Sequence, residues 1–143
     1  MSRCECACAG CVAACKRRPG WLTPRDVVRL AAHVGLEPPR LFDEYLAWDF
    51  WFSMDGDVLV PIPASALARA GTHLAWGDAF KPSRCQQLTP DDRCAIHPVK
   101  PRECAEAFHG QGPERLHELI ARAWTRPAAR RFRDQLRVPR ETC

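Results

Sequence analysis

Nine cysteines in 143 residues are the part of this chain with obvious chemistry. Five stand at positions 4, 6, 8, 11 and 15, three at 85, 94 and 104, and Cys143 stands apart, with no role assigned to it. Spacing of the kind in Cys8-x2-Cys11 lets one tight loop present two sulfurs to one ion, as in zinc and iron–sulfur sites. Cys15 extends this pair, and Cys85, Cys94 and Cys104 answer it far along the chain. The bland alternative, six small buried thiols without a ligand, fits these spacings poorly. Soft thiolates select zinc, iron–sulfur clusters or Cu(I) and disfavour Mg and Ca. One structural zinc takes four ligands, so six to eight cysteines imply two ions, a polynuclear cluster or spare thiols. Cys4 and Cys6 form a Cys-x-Cys arm that either joins the ligand set or is a plain N-terminal tail.

Other side chains near the cysteines are weaker candidates. His97 follows Cys94 by three residues and His109 follows Cys104 by five, spacings at which an imidazole can join a coordination sphere. His33, His73 and His117 read as ordinary surface or core histidines. Pro98 and Pro101 stiffen the loop between Cys94 and Cys104. Lys100 and Arg102 either offset thiolate charge or form solvated surface. Nothing local resembles the nucleophile motif of a protease or an oxidoreductase, so catalysis is the lesser reading.

Composition sets the frame for this chemistry. Hydrophobic residues at 46% and charged residues at 27% are ordinary globular usage and argue against wholesale disorder. No apolar stretch follows Met1 as in a secretory signal, and no run has the ~18 apolar residues of a membrane span. The expected compartment is the cytoplasm, with no membrane partner, and there clustered thiols are metal ligands or redox groups rather than a disulfide framework. The net charge of +4 is local: residues 126–143 carry six Arg against Asp134 and Glu141, and the rest of the chain balances. That excludes a global nucleic-acid footprint, and a solvated basic helix face explains the tail.

The elements that must position the cysteines are mostly helical. Residues 1–20 show no helical or strand periodicity and read as a ligand loop that a metal would order, closed by the Lys16-Arg17-Arg18-Pro19-Gly20 turn. Thr23-Pro24-Arg25-Asp26 is a helix start, with Val27, Leu30, Ala31 and Val34 on one face and Gly35 at the stop. Pro38-Pro39 opens a second helix with Leu41, Phe42, Tyr45 and Leu46 on one face. The aromatic stretch from Trp48 to Phe52 packs against the cysteine-bearing segments rather than serving as a stacking platform. Asp55-Gly56-Asp57 predicts a turn, and Val58-Leu59-Val60 a short strand ended by Pro61 and Pro63. Ala64–Ala70 reads as a short helix, Gly71–Ser83 as a loop and Ala105–Phe108 as a helical turn. Gly112-Pro113 opens a helix striped by Leu116, Leu119, Ile120, Ala123 and Trp124, and after Pro127 a last helix is spaced by Ala128, Phe132 and Leu136. Arg130, Arg131, Arg133 and Arg137 occupy its other face.

The run Cys94-x-Ile96-His97-x2-Lys100-Pro101-x2-Cys104, preceded by Cys85-x2-Leu88, resembles the corresponding segment of the YkgJ-like CxxCxxCC family, whose members are regarded as chelators of zinc or iron. Cys8-x2-Cys11-x3-Cys15 matches the first, second and last cysteines of that pattern, and Leu22-Thr23-Pro24-x-Asp26 matches a helix start usual in it. The similarity spans roughly residues 8–108. Ala14 stands where the third cysteine is usual, His97 where a Tyr is usual and Lys100 where an Arg is usual; the loss at Ala14 departs from the usual ligand count, and Cys4 or Cys6 could swing in as a replacement. The resemblance implies a metal or iron–sulfur site, with a related pattern in flagellin lysine methylases, and implies no particular reaction.

The expectation is a mainly α, single-domain protein, a small helical scaffold with long loops. Its metal-binding core covers about residues 8–108, and C-terminal amphipathic helices cover 113–138. The expected ligands are Cys8, Cys11, Cys15, Cys85, Cys94 and Cys104, with Cys4 and Cys6. The expected cofactor is an iron–sulfur cluster or iron, with zinc as the alternative. The expected roles are electron transfer, metal handling or service to a partner enzyme, and a protein partner fits the last of these. The alternative is a structural-zinc protein that acts as an interaction module through its aromatic or Arg-rich surface.

Overall fold

A computed structural model of the chain describes residues 9–17, 19–51, 58–78, 81–106 and 113–136. Helices α1 (Ala9–Arg17), α2 (Pro24–Val34) and α3 (Pro38–Tyr45) precede strands β1 (Leu46–Trp51) and β2 (Val58–Pro63), and α4 (Arg102–Glu106), α5 (Pro113–Ala123) and α6 (Pro127–Leu136) follow a long connection.

The first helix corrects the reading of residues 1–20 as a loop. Ala9, Ala13 and Ala14 supply strong helix propensity, and Lys16 and Arg17 in the last turn complement the negative end of the dipole. A Cys/Ala/Gly segment carries no broad apolar stripe, which is why hydrophobic periodicity passes over it. α2 starts as expected: Thr23 Oγ1 accepts from the Asp26 N–H at 3.0 Å, and Asp26 Oδ2 accepts from the Thr23 N–H at 2.9 Å. It stops at Gly35, whose φ of 75° is left-handed and whose N–H bonds the Ala31 carbonyl. Val27, Leu30 and Ala31 are buried.

The mainly α expectation is overturned by the sheet, and the architecture is mixed α and β. α3 ends at Tyr45, and Leu46, expected on its apolar face, opens β1. β1 pairs antiparallel with β2 from Leu46↔Pro63 to Trp51↔Val58. Pro61 lies inside the strand instead of ending it, and the strand runs on to Pro63. Residues two apart in a strand turn their N and C=O to the same side, and here that side is the outer edge, where the Pro61 carbonyl accepts from the Leu22 N–H at 2.9 Å. Trp48, opposite Pro61, likewise turns outward: its N–H donates to Thr72 and its carbonyl accepts from Leu74. Two prolines therefore cost this ribbon no cross-strand bond. The Asp55-Gly56-Asp57 turn lies outside the described residues.

Ala64–Ala70 is not a helix. Ser65 is used instead in a bridge with Cys85, and its Oγ accepts from the Ala68 N–H at 3.2 Å, closing a turn. Gly71–Ser83 is a loop as expected over its described residues, with one 3-10 turn at Trp76–Asp78. α4 begins three residues earlier than the expected helical turn. α5 buries Leu116, Ile120 and Ala121, while Leu119, expected in the stripe, is 40% exposed. α6 buries Ala129 rather than Ala128, along with Leu136, and Phe132 packs against the core.

One apolar cluster runs from Trp21 and Leu22 through Leu41, Trp48 and Val60 to Ile120, Trp124 and Leu136. Trp124 is fully buried, and its indole N–H donates to the Leu22 carbonyl at 2.8 Å, tying the C-terminal helices to the segment that leads out of the cysteine region. Trp21 and Trp48 are buried in this cluster and Trp51 packs against it.

Candidate metal centre

Four cysteines with described side chains come from four places in the chain. Cys15 lies on α1, which runs from Ala9 to Arg17. The last carbonyls of a helix have no partner within it, and here a distant segment supplies two: the Cys85 N–H donates to the Cys15 carbonyl at 2.8 Å, and the Ser83 N–H to the Arg17 carbonyl at 2.8 Å. Residue 85 is held from the other side as well, through its bridge to Ser65 and the Gln86 N–H bond to Ala64.

From Cys85 the chain forms a hairpin that returns at Cys94. Leu88 and Cys94 bridge antiparallel, the Thr89 N–H donates to Arg93, and the Ala95 N–H to Gln87. Its turn places Asp92 at φ 62°, where an Asp is tolerated better than most residues. Asp92 also meets Lys16 of α1 at 3.2 Å, an exposed ion pair worth little by itself.

Cys104 sits on α4, which enters from the 3-10 turn His97–Val99 through the fully buried Pro101. The Arg102 N–H donates to Asp26 Oδ2 at 3.2 Å, so the carboxylate that caps α2 also caps α4. The Cys104 sulfur lies against Gly20: a Cβ built there would fall 2.3 Å from it. No other residue type fits position 20 while the sulfur stays in place.

Burial and neighbouring thiols act together on two of these cysteines. Burial pushes the Cys85 thiol up to about 12, opposed first by the Gln87 backbone N–H bonded to its sulfur and raised further by neighbouring Cys15 and Cys94. Burial also holds Cys104 well above the ordinary thiol range, with Cys15, Cys85, Glu103 and Cys94 adding to it in that order. Cys85 and Cys104 therefore both resist ionising beside their neighbours. A soft cation reverses this balance, because a coordinating thiol is deprotonated outright.

Cysteine sulfurs, as soft donors, would fit zinc or iron and not Mg or Ca. Among the described residues no group of three or more Cys, His, Asp or Glu side chains forms a ready-made metal site, and Cys15, Cys85, Cys94 and Cys104 are all reduced thiols. Cys4, Cys6, Cys8, His109 and Cys143 lie outside the described residues, as do the side chains of Cys11 and His97.

Residues 7–124 match the model of the CxxCxxCC family, titled "Putative zinc- or iron-chelating domain". The chain belongs to the CxxCxxCC family. Neither a curated protein nor a solved structure matches it. The family relation agrees with zinc or iron binding and is silent on the reaction. Departures from the CxxCxxCC pattern fall at informative places: Ala14 is half-buried beside Cys15, and Lys100 is 6% exposed, so it is not solvated surface. Arg102 is exposed.

One residue read as an ordinary histidine has a definite place here. His117 of α5 stacks on Trp21, centroids 4.0 Å apart and planes 13° from parallel, and its Nε2 hydrogen-bonds Glu103 Oε1 at 2.8 Å. Its i, i+3 relation to Ile120 was the available signal, since it marks His117 as facing inward beside the apolar stripe.

Proposed function

We propose that the chain binds its metal on a thiolate centre assembled from Cys15, Cys85, Cys94 and Cys104, with Cys8 and Cys11 supplying further sulfurs and Cys4 or Cys6 replacing the one that Ala14 lacks. The observation that carries this reading is that Cys15 and Cys94 raise the proton affinity of Cys85, and these three raise that of Cys104, an arrangement that gains most from a shared soft cation. Six sulfurs exceed the needs of one tetrahedral zinc, which favours an iron–sulfur cluster or an iron centre working in electron transfer, metal handling or service to a partner enzyme. The Gln87 and Leu88 backbone N–H groups bonded to the Cys85 sulfur suit such a centre, because hydrogen bonds to sulfur tune its potential.

A structural zinc is the second reading, and α1 favours it. Among its described side chains none is buried, so the helix lacks an apolar anchor of the kind a four-sulfur staple would replace. Anaerobic purification followed by iron, sulfide and zinc analysis with a visible spectrum separates the two. Iron with sulfide and bands that bleach under dithionite support the first. Colourless protein with one or two zinc ions per chain supports the second, and Cys→Ser replacements at 15, 85, 94 and 104 that leave metal content unchanged would refute this ligand set.

A further inference from the structure

Glu103 immediately precedes Cys104, and its carboxylate is held at both oxygens. Oε2 accepts from the Trp21 N–H at 3.1 Å, and Oε1 bonds His117 Nε2 at 2.8 Å. Trp21 immediately follows Gly20, against which the Cys104 sulfur packs. The pairs 20–21 and 103–104 are therefore locked in register, with Glu103 on Trp21 and Cys104 on Gly20. Trp21 is fixed at three points: its N–H by Glu103, its ring face by His117, and its indole N–H by Asp49 Oδ2 at 3.0 Å. Trp51 closes the group edge-on against Trp21 at 5.8 Å. The Glu103 and His117 side chains are 12% and 19% exposed, so little water competes for their bond.

We infer that Glu103, His117 and Trp21 form a clamp that positions the Cys104 sulfur for the metal. The inference rests on the reading of Cys104 as a ligand and adds three positioning residues that hold no metal themselves. α4 is five residues long and cannot fix its own orientation through internal bonds, so the direction of the Cys104 side chain is set by what grips its neighbour. A ligand held in its bound direction before the metal arrives loses less freedom on binding, and removing such supports typically weakens metal affinity about 10–100-fold.

The test is zinc affinity, by competition with a chromophoric chelator, and the Co(II) charge-transfer spectrum, whose intensity follows the number of bound thiolates. H117F keeps a ring on Trp21 and loses the bond to Glu103, E103A loses both bonds, and E103Q keeps an amide able to make them. F132L, which loosens α6 against Trp124, is the control for a general loss of stability. H117F and E103A should bind zinc about 10–100-fold more weakly and lose Co(II)–thiolate intensity, while E103Q stays near wild type and F132L lowers the melting temperature alone. Affinities of H117F and E103A within twofold of wild type, or an equal loss in F132L, would overturn the clamp. If C104S binds as tightly as wild type, the clamp is wrong and metal binding stands; if wild type takes up neither zinc nor Co(II), both readings fall.

Discussion

Gly20 is where the smallest change should have the largest consequence. Adding one methyl group puts a carbon 2.3 Å from the Cys104 sulfur, so either the sulfur turns away or α4 shifts. Gly20→Ala should lower stability by about 1–3 kcal/mol, as overpacking does, and cut zinc affinity more than a surface substitution of equal stability cost. Calorimetry with a zinc titration checks both. At Cys85, the sign of the pH dependence follows from the direction of the shift. A thiol raised from 9.0 to about 12 in the folded chain favours folding fully below pH 9, and that contribution is lost as pH climbs toward 12. Metal-free, reduced protein should therefore unfold at lower urea at pH 10.5 than at pH 8, and Cys85→Ala should show a flatter dependence. An unchanged slope in that variant would mean that Cys85 is not the titrating group.

Among the elements, α1 is the one whose attachment looks conditional. Among the described residues, backbone bonds to Ser83 and Cys85 and an exposed ion pair to Asp92 hold it, and the Lys16 and Arg17 side chains face solvent. Stripping the metal with a chelator should expose these two residues to trypsin, and zinc or iron should restore protection. Equal cleavage with and without metal would show that α1 docks without it. Asp26 ties two other elements together, since its carboxylate accepts from the N-terminal region of α2 and from Arg102 of α4. Asp26→Ala removes both of these bonds and should cost about 2 kcal/mol, at roughly 1 kcal/mol per bond, in a urea titration. The α2 cap was legible from Thr23-Pro24-Arg25-Asp26. Its second use on α4 was not, because it joins residues 76 apart.

At the scale of the whole molecule, the cysteine segments are held by a core assembled largely from residues beyond them. Trp124, fully buried and bonded to the Leu22 carbonyl, links the C-terminal helices to the N-terminal half. Trp124→Ala should destabilise the protein by about 3–5 kcal/mol and weaken metal retention with it. Thermal unfolding of the metal-loaded protein, read with metal release, checks the coupling. Simultaneous loss of both supports it, and release without unfolding contradicts it. Among the described residues no helix is long and apolar enough to cross a membrane.

Local pattern carried some features of this protein fully and missed others for physical reasons. The capping box of α2, the glycine stop at Gly35, the proline starts of α3, α5 and α6, and a cysteine distribution that belongs to a metal-binding family were all readable, because each depends on neighbours in sequence. α1 escaped because its order comes from alanine propensity and from bonds to residues nearly seventy positions away, although the 3- and 4-residue steps of Cys8, Cys11 and Cys15 match a helix face. β1 escaped because Leu46–Trp51 becomes a strand through its pairing with β2 and with Thr72 and Leu74, and prolines read as strand ends proved harmless once their outer-edge register was set. His117 and Glu103 looked ordinary because a stack on Trp21 and a grip beside Cys104 exist only once α4, α5 and the Gly20–Trp21 segment meet. Donor chemistry was thus written in residue types and spacing, while the meeting of four thiols and the grip on one of them were decided by long-range packing.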